Sequence, residues 1–549
     1  MVEPYVTGNL RKSILKSQIN DDAAFFTGGL NTYNDKAFIE ANQMPYVMNM
    51  GMYKPPMMST RQARESLQQY IVGNPNMGDI LELFAYNDNY IMGVAKTTSD
   101  GTVTYFTLHK NGGLYNRYIF PNQPKWDRYY LCYARTGTAE YLYILSNYGK
   151  RRLTINEEQQ SEEEVTSYND NHYGIPCWHK GRLFLANPDT GIITYSCLND
   201  FDNFDLPDFD DPDENDYSSY AGDFLVTNAR GKITALKSFD DKLYIFCEHS
   251  LHIMYGDTPP YVDSSTEKFQ LVDMNNNLGT LDDRYVTVGG GKLFWFGDDC
   301  QVYEHTGSYT KMISRPSDDS HGGIDNILQR PYEDEHKLAK LSATSDRLYF
   351  NVSLSPNATI NKYLFVYDIY NRVWWCEDGE FTTICNFSHD NNNIVMARAN
   401  GDIIRYTSMF EGHDVLFDFT DNSAKTVEIE YEFHTRVYGA ENSDTRETIS
   451  EIWVQAISNA NVYLSDIWTS RDAWVESHAD ELEQGYKQIG KLARVDRAPT
   501  LEKYNSHLYE QQRCIVEKMY GERLNTFQII VKGSGASRFY LMKRLWRVS

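Results

Sequence analysis

The sequence predicts a mostly β protein: a β-propeller of about six to seven blades with an N-terminal arm and a C-terminal antiparallel β-sandwich or platform domain. Three observations carry that expectation. A four-residue phrase recurs as Gly181-Arg182-Leu183-Phe184, Asp241-Lys242-Leu243-Tyr244, Gly291-Lys292-Leu293-Phe294 and Asp346-Arg347-Leu348-Tyr349, with its leucines 60, 50 and 55 residues apart. Each copy is a small or acidic turn residue, a cation and the start of an apolar strand, the pattern of one unit entered repeatedly. Aromatic residues make up 14% of the chain, with 41 Tyr, 26 Phe and 9 Trp, which favours pleated, half-buried surfaces over helical bundles. Finally, from about residue 80 to about residue 410, strand-like segments alternate with turn residues and no amphipathic helical pattern interrupts them.

Residues 1–65 read as an arm. Phe26-Thr27-Gly28-Gly29-Leu30-Asn31-Thr32 and Asn42-Gln43-Met44-Pro45 lack strand alternation and are punctuated by Gly and Pro, so short strands in an extended segment are expected, packed on another part of the protein. Residues 66–425 form the predicted propeller. Besides the four phrased strands, Tyr141–Leu145 and Ile394–Ala397 complete six candidate blade strands. Hairpins are expected at Leu243–Phe246 with Leu251–Tyr255, at Leu293–Phe296 with Val302-Tyr303, and at Tyr363–Asp368 with Val373–Trp375. Closing the ring removes exposed strand edges and is the favoured geometry. Residues 426–549 form the predicted sandwich, where Glu428–Phe433 and Glu451–Gln455 alternate strictly and further strands follow at Val462–Leu464, Phe527–Val531 and Phe539–Leu541.

The 549 residues carry a net charge of −24, unevenly spread. Residues 491–549 hold 12 basic and 5 acidic residues, so the rest of the chain bears −31. Such an acidic body repels duplex DNA at long range, while the basic end suits an acidic partner. The eight cysteines show no Cys-x-x-Cys spacing and read as free thiols of a reducing compartment. Residues 1–20 lack the apolar stretch of a signal peptide and no run reaches the roughly 18 apolar residues of a membrane helix, so the expectation is a protein without a membrane span, made in a cytosol.

Motifs for chemistry are sparse. Residues 201–216 contain eight acidic residues and no basic one. Asp211, Asp213 and Asn215 alternate as calcium ligands do, but Pro212 intrudes, Asp216 stands where such a loop needs glycine and Gly222 where it needs glutamate. The segment therefore reads as a solvated acidic loop or one that meets a basic partner. Gly289-Gly290-Gly291-Lys292 opens a strand instead of a helix and reads as a hairpin turn, not a nucleotide loop. There is no Gly-x-Ser-x-Gly or His-Glu-x-x-His, and the 13 histidines show no metal-ligand spacing. No catalytic, cofactor-binding or metal-binding residue is nominated, and no cofactor is expected. Propellers include glycosidases that use paired carboxylates, so a carbohydrate-active enzyme, a phage depolymerase or a sialidase-like glycosidase, is the alternative. Ser465-Asp466-Ile467-Trp468 is the nearest fragment to a sialidase box; it occurs once and lies outside the repeats.

The order of these parts resembles the tail hub, or nozzle, proteins of short-tailed bacteriophages, which include packaged-DNA stabilisation proteins and counterparts in crAss-like phages. The resemblance is carried by Phe26–Thr32 with Asn42–Pro45, by Phe246–Asp257, by the strand-glycine-acid stretch Gly291–Gly307, and by Gly521-Glu522-Arg523-Leu524 with a final apolar-basic strand. It implies a non-enzymatic structural protein of the virion tail, assembled in the host cytoplasm. It implies a homohexameric ring below the portal and adaptor that retains packaged DNA and passes double-stranded DNA during ejection without binding it tightly. Other tail proteins, and fibres or spikes, are the implied neighbours.

Overall fold

The computed structural model describes residues 19–548 except 35–37, 55–56, 69–77, 86–89, 97–102, 110–114, 120–127, 138, 146–149, 157–160, 169–173, 209, 211–216, 263–266, 276, 317–321, 329–337, 355–357, 387–393, 408–411, 439–446, 459–461, 469–485, 492–512 and 517–526. The expected closing motif at Gly521–Leu524 and most of the candidate calcium loop lie outside the described residues.

Five short strands come first: β1 (Ile19–Phe25), β2 (Tyr46–Met48), β3 (Met50–Lys54), β4 (Met57–Thr60) and β5 (Arg64–Ser66). Five four-stranded antiparallel meanders follow in chain order. They are β6–β9 (Asp79–Ala85, Tyr90–Lys96, Val103–His109, Tyr115–Ile119), β10–β13 (Tyr130–Arg135, Glu140–Leu145, Lys150–Asn156, Ser161–Tyr168) and β14–β17 (Ile175–His179, Arg182–Ala186, Ile192–Tyr195, Gly222–Leu225). The fourth and fifth are β18–β21 (Ile233–Phe239, Lys242–Cys247, Leu251–Tyr255, Gln270–Asn275) and β22–β25 (Val286–Gly289, Lys292–Phe296, Val302–His305, Thr310–Met312). A sixth meander, β26–β29 (Lys340–Ala343, Arg347–Val352, Tyr363–Asp368, Val373–Asp378), continues through β3 into a larger sheet. The seventh has only three consecutive strands, β30–β32 (Phe381–Asn386, Ile394–Arg398, Ile403–Tyr406); its fourth is β5, brought from the N-terminal segment.

Beyond β5 the seventh sheet continues into the hairpin β33 (His413–Asp418) and β34 (Ser423–Glu428). The remaining strands are β35 (Glu430–His434), β36 (Glu447–Ser458), β37 (Val462–Trp468), β38 (Tyr486–Lys491), β39 (Arg513–Val516), β40 (Phe527–Ser534) and β41 (Ser537–Val548). They build two sheets, each with N-terminal strands inside it. One runs β2-β35-β40-β37-β38; the other runs β29-β3-β4-β41-β36-β39, with β1 paired to β41. The terminal sheets are thus joined to the sixth meander by main-chain pairing of Cys376 with Met50. One core unites them: Phe26, Val47, Met50 and Met58 of the N-terminal segment pack with Phe350, Trp374, Phe433 and Phe539. The Phe433 ring meets Phe26 at 5.0 Å and Phe539 at 5.1 Å, both edge to face.

All six candidate blade strands prove to be the second strand of a meander: β11, β15, β19, β23, β27 and β31. That strand is flanked by neighbours in its sheet and covered on both faces, so β15 is buried throughout and β19, β23 and β27 are buried after their first residue. The recurring phrase marks the hairpin entering it. Lys180-Gly181, Asp240-Asp241 and Gly290-Gly291 have positive φ at both residues, the φ signature of a type I′ turn, whose twist matches the strands it joins. Gly290 cannot be enlarged, because a Cβ there would lie 2.7 Å from the Ser345 carbonyl oxygen of the next sheet. The three expected hairpins are present as β19–β20, β23–β24 and β28–β29.

Candidate functional site

Consecutive meanders meet through their first strands. β10 packs on β14, β14 on β18, β18 on β22, β22 on β26 and β26 on β30, and β30 packs on β6. Where these strands converge, six charged side chains from distant parts of the sequence form one cluster. Glu82 on β6 is 4% exposed. It accepts from Lys340 Nζ of β26 at 2.9 Å and from Arg128, just before β10, at 3.0 Å, with Arg284 Nη1 at 3.7 Å. Lys340 also donates to the Leu83 carbonyl at 3.1 Å and to Thr383 Oγ1 of β30 at 2.8 Å. Arg128 reaches on to Asp282 and Asp283, which flank the start of a 3₁₀ turn (Asp283–Tyr285) before β22. The Arg128 guanidinium therefore spans the first, second and fifth sheets.

Burial governs the protonation of this cluster, and the fixed cations oppose it. Against the cost of burial, Lys340, Arg128 and Arg284 hold the Glu82 carboxyl below its ordinary value, and Arg128 and Arg284 hold Asp282 well below the usual carboxylate range. Burial raises Asp283 to about 6 against the pull of Arg128, with the neighbouring Asp282 charge adding to the rise. Each carboxylate is thus engaged by a guanidinium or an ammonium. That arrangement locks sheets together; it does not present a carboxylate pair to a substrate.

A second charged cluster fixes the linker between β4 and β5. Arg61, 1% exposed, places both terminal nitrogens on Asp414 of β33, at 2.8 and 2.7 Å, and its Nε on Asn49 and Asp378. Arg64 donates to Glu377 at 2.6 Å and to Asp378 at 2.7 Å. Glu377, fully buried on β29, also accepts from Tyr406 Oη at 2.6 Å and from Tyr53 Oη. Next to it Asp402, in the turn between β31 and β32, accepts from Ser66 Oγ of β5 and from the Phe417 N–H of β33 at 3.1 Å. Burial raises the Asp402 carboxyl to about 6, against those hydrogen bonds. The pair of arginines and this aspartate hold β5 between β32 and β33.

The acidic segment begins at Phe201, which packs edge-on against Tyr141 and Tyr143. Asp202 lies 3.4 Å from Lys150 Nζ and is paired to Arg152, both on β12, and accepts from Tyr143. At the far end Arg182 donates to the carbonyls of Ser196, Ser218 and Tyr220. The basic partner of the loop's first acidic residue is thus in the preceding sheet of the same chain. Asp211, Asp213, Asn215 and Asp216 lie outside the described residues, and Gly222 opens β17. Among the described residues no group of three or more His, Cys, Asp or Glu is arranged to hold a metal. Ser465-Asp466-Ile467-Trp468 lies within β37, in a terminal sheet.

Seven cysteines are described; all are unpaired, and all but Cys300 are buried. Burial pushes the Cys177 and Cys247 thiols up to about 11 and Cys385 to about 12, which leaves them protonated and poor nucleophiles. His179 is lowered to about 4 by burial and the adjacent Lys180, and its Nδ1 pairs with Ser238 Oγ at 2.7 Å. No described helix is long and apolar enough to cross a membrane.

Neither charged cluster was nominated from the sequence, and little could have pointed to them. Arg61 and Asp414 are 353 positions apart, and Lys340 and Glu82 are 258 apart. A single available signal was an isolated charge in an otherwise apolar strand, as at Glu82 in Asp79–Ala85.

No protein-family model matches the sequence, and no curated protein does. Among solved structures the chain is similar to Raptor of Chaetomium thermophilum over 63% of its own length and 29% of that chain, at 11% identity and a TM-score of 0.40. It is similar to an extracellular domain from B. thetaiotaomicron over 76% of its own length and 56% of that chain, at 10% identity and a TM-score of 0.39. The chain spans less than two thirds of either protein, and likenesses of this strength carry no inference about function.

Proposed function

We propose that this chain is a structural tail hub or nozzle protein of a short-tailed bacteriophage. In this reading residues 79–406 and β5 close into a seven-bladed propeller, and the terminal sheets form a platform welded to its sixth blade. Closure is supported by the succession of first-strand contacts from β10 through β30 to β6, by the Arg128–Glu82 bridge between the first two sheets, and by β5 completing the last. The chain forms a homohexameric ring below the portal and adaptor. That ring retains packaged DNA and conducts it outward, with fibres or spikes as further neighbours.

The observation that carries this reading against an enzymatic one is the ionic cluster where the first strands converge. A retaining glycosidase keeps two carboxyl groups roughly 5 Å apart and open to a glycosidic bond. Here Glu82, Asp282 and Asp283 are bridged by Arg128, Arg284 and Lys340. The interleaving of N- and C-terminal strands points the same way, since it makes a rigid fitting from one chain. The charge balance suits a conduit: an acidic body grips phosphate poorly, and a basic end seats on an acidic neighbour.

Native mass measurement of the full chain, alone and with a portal, tests the assignment. A closed species several times 63.6 kDa is expected. A monomer that releases sugar from capsular or cell-wall polysaccharide would replace it with the carbohydrate-active alternative.

A further inference from the structure

Most sheet edges here end in strands with at least one covered face, but β34 does not. Ala424, Lys425, Thr426, Val427 and Glu428 are all exposed, so both faces of the strand are open, and β34 is the last strand of its sheet. It is held through β33 alone, over the six pairs from His413–Glu428 to Asp418–Ser423. An open-edged strand of this kind is a template for another strand unless something covers it. Its charge is one-sided. The hairpin carries Asp414, Asp418, Asp421 and Glu428 against Lys425. Asp414 is committed to Arg61, which leaves the other three on the outer part of the hairpin.

The chain also contains a strand of opposite charge at another sheet end. β38, with sequence Tyr-Lys-Gln-Ile-Gly-Lys, is the terminal strand of the sheet β2-β35-β40-β37-β38, and its charged residues are Lys487 and Lys491. We propose that the β33–β34 hairpin of one copy docks on β38 of the next copy, adding strand to strand with carboxylates set against lysines. Because the two surfaces differ, the contact is head-to-tail and propagates around a ring instead of stopping at a dimer. The inference rests on the ring reading above and names the contact that builds it.

Two charge-reversed full-length proteins test it. In one, Asp418→Lys, Asp421→Lys and Glu428→Lys reverse the hairpin; in the other, Lys487→Glu and Lys491→Glu reverse β38. Each alone sets like charge against like and is expected to run as the 63.6 kDa monomer. Mixed together they present complementary hairpins and strands in alternation, so the ring mass is expected to return, which also shows that both variants are folded. Rings of unchanged mass from both single variants would overturn this contact and leave the ring reading standing. Monomers that stay monomeric on mixing would overturn it as well. A wild-type chain that forms no ring, alone or with a portal, would overturn the ring reading itself.

Discussion

Asp402 is fully buried between β5 and β33, and its carboxyl is raised by burial to about 6 from an ordinary 3.8. Between those two values the folded protein binds more protons at this site than the unfolded chain. The contribution is therefore fully present below pH 3.8 and is lost as pH rises through about 6. Asp402→Asn removes the titration and keeps an oxygen acceptor for Ser66 or Phe417. Relative to wild type, the variant is expected to gain stability by about 2–3 kcal/mol between pH 4 and pH 6.5 and then level off, read from urea melts across that range. Glu377 behaves oppositely. Its charge is matched by Arg64 and hydrogen-bonded by Tyr53 and Tyr406, so Arg64→Ala strands a buried carboxylate. A loss of about 3–5 kcal/mol in denaturant unfolding is expected, with Arg64→Lys recovering only part of it because a point charge cannot span Glu377 and Asp378.

At the scale of elements, what was legible in the sequence depended on burial. Second strands are enclosed on every side and read as unbroken apolar runs, which is why Leu183, Leu243, Leu293 and Leu348 stood out. First strands such as β10 and β14 alternate buried and half-buried residues and left a weaker trace. The first meander was missed because its second strand, Tyr90–Lys96, contains Gly93 and lacks the turn-cation-leucine phrase. The N-terminal arm was legible as an extended segment, but not its role. β5 is only three residues long, and its place beside β32 is set by Arg61, Arg64 and Ser66 finding partners more than 300 positions away. If β5 closes the ring, deleting residues 1–68 leaves the edge of β32 bare. The truncated protein is expected to aggregate at micromolar concentration, while the full chain stays dispersed in light scattering. Full solubility and an unchanged melt after the deletion would remove β5 from any closing role.

For the molecule as a whole, the uneven charge is the property that ties fold to function. With −31 on residues 1–490 and +7 on the remainder, a conduit built from this chain presents duplex DNA with mostly like charge. The isolated assembly is expected to show no binding to duplex DNA tighter than about 10 μM even at 20 mM salt, where every phosphate contact is strongest. Submicromolar affinity under those conditions would contradict a slippery passage. The direct test of the central claim is an image reconstruction of the tail vertex of a closed phage particle carrying this chain. The account predicts a ring of six copies beneath the portal and adaptor, each with seven sheets around one axis and the β1–β4 and β35–β41 strands facing the structure above. Particles whose tail density has no place for the chain would contradict it.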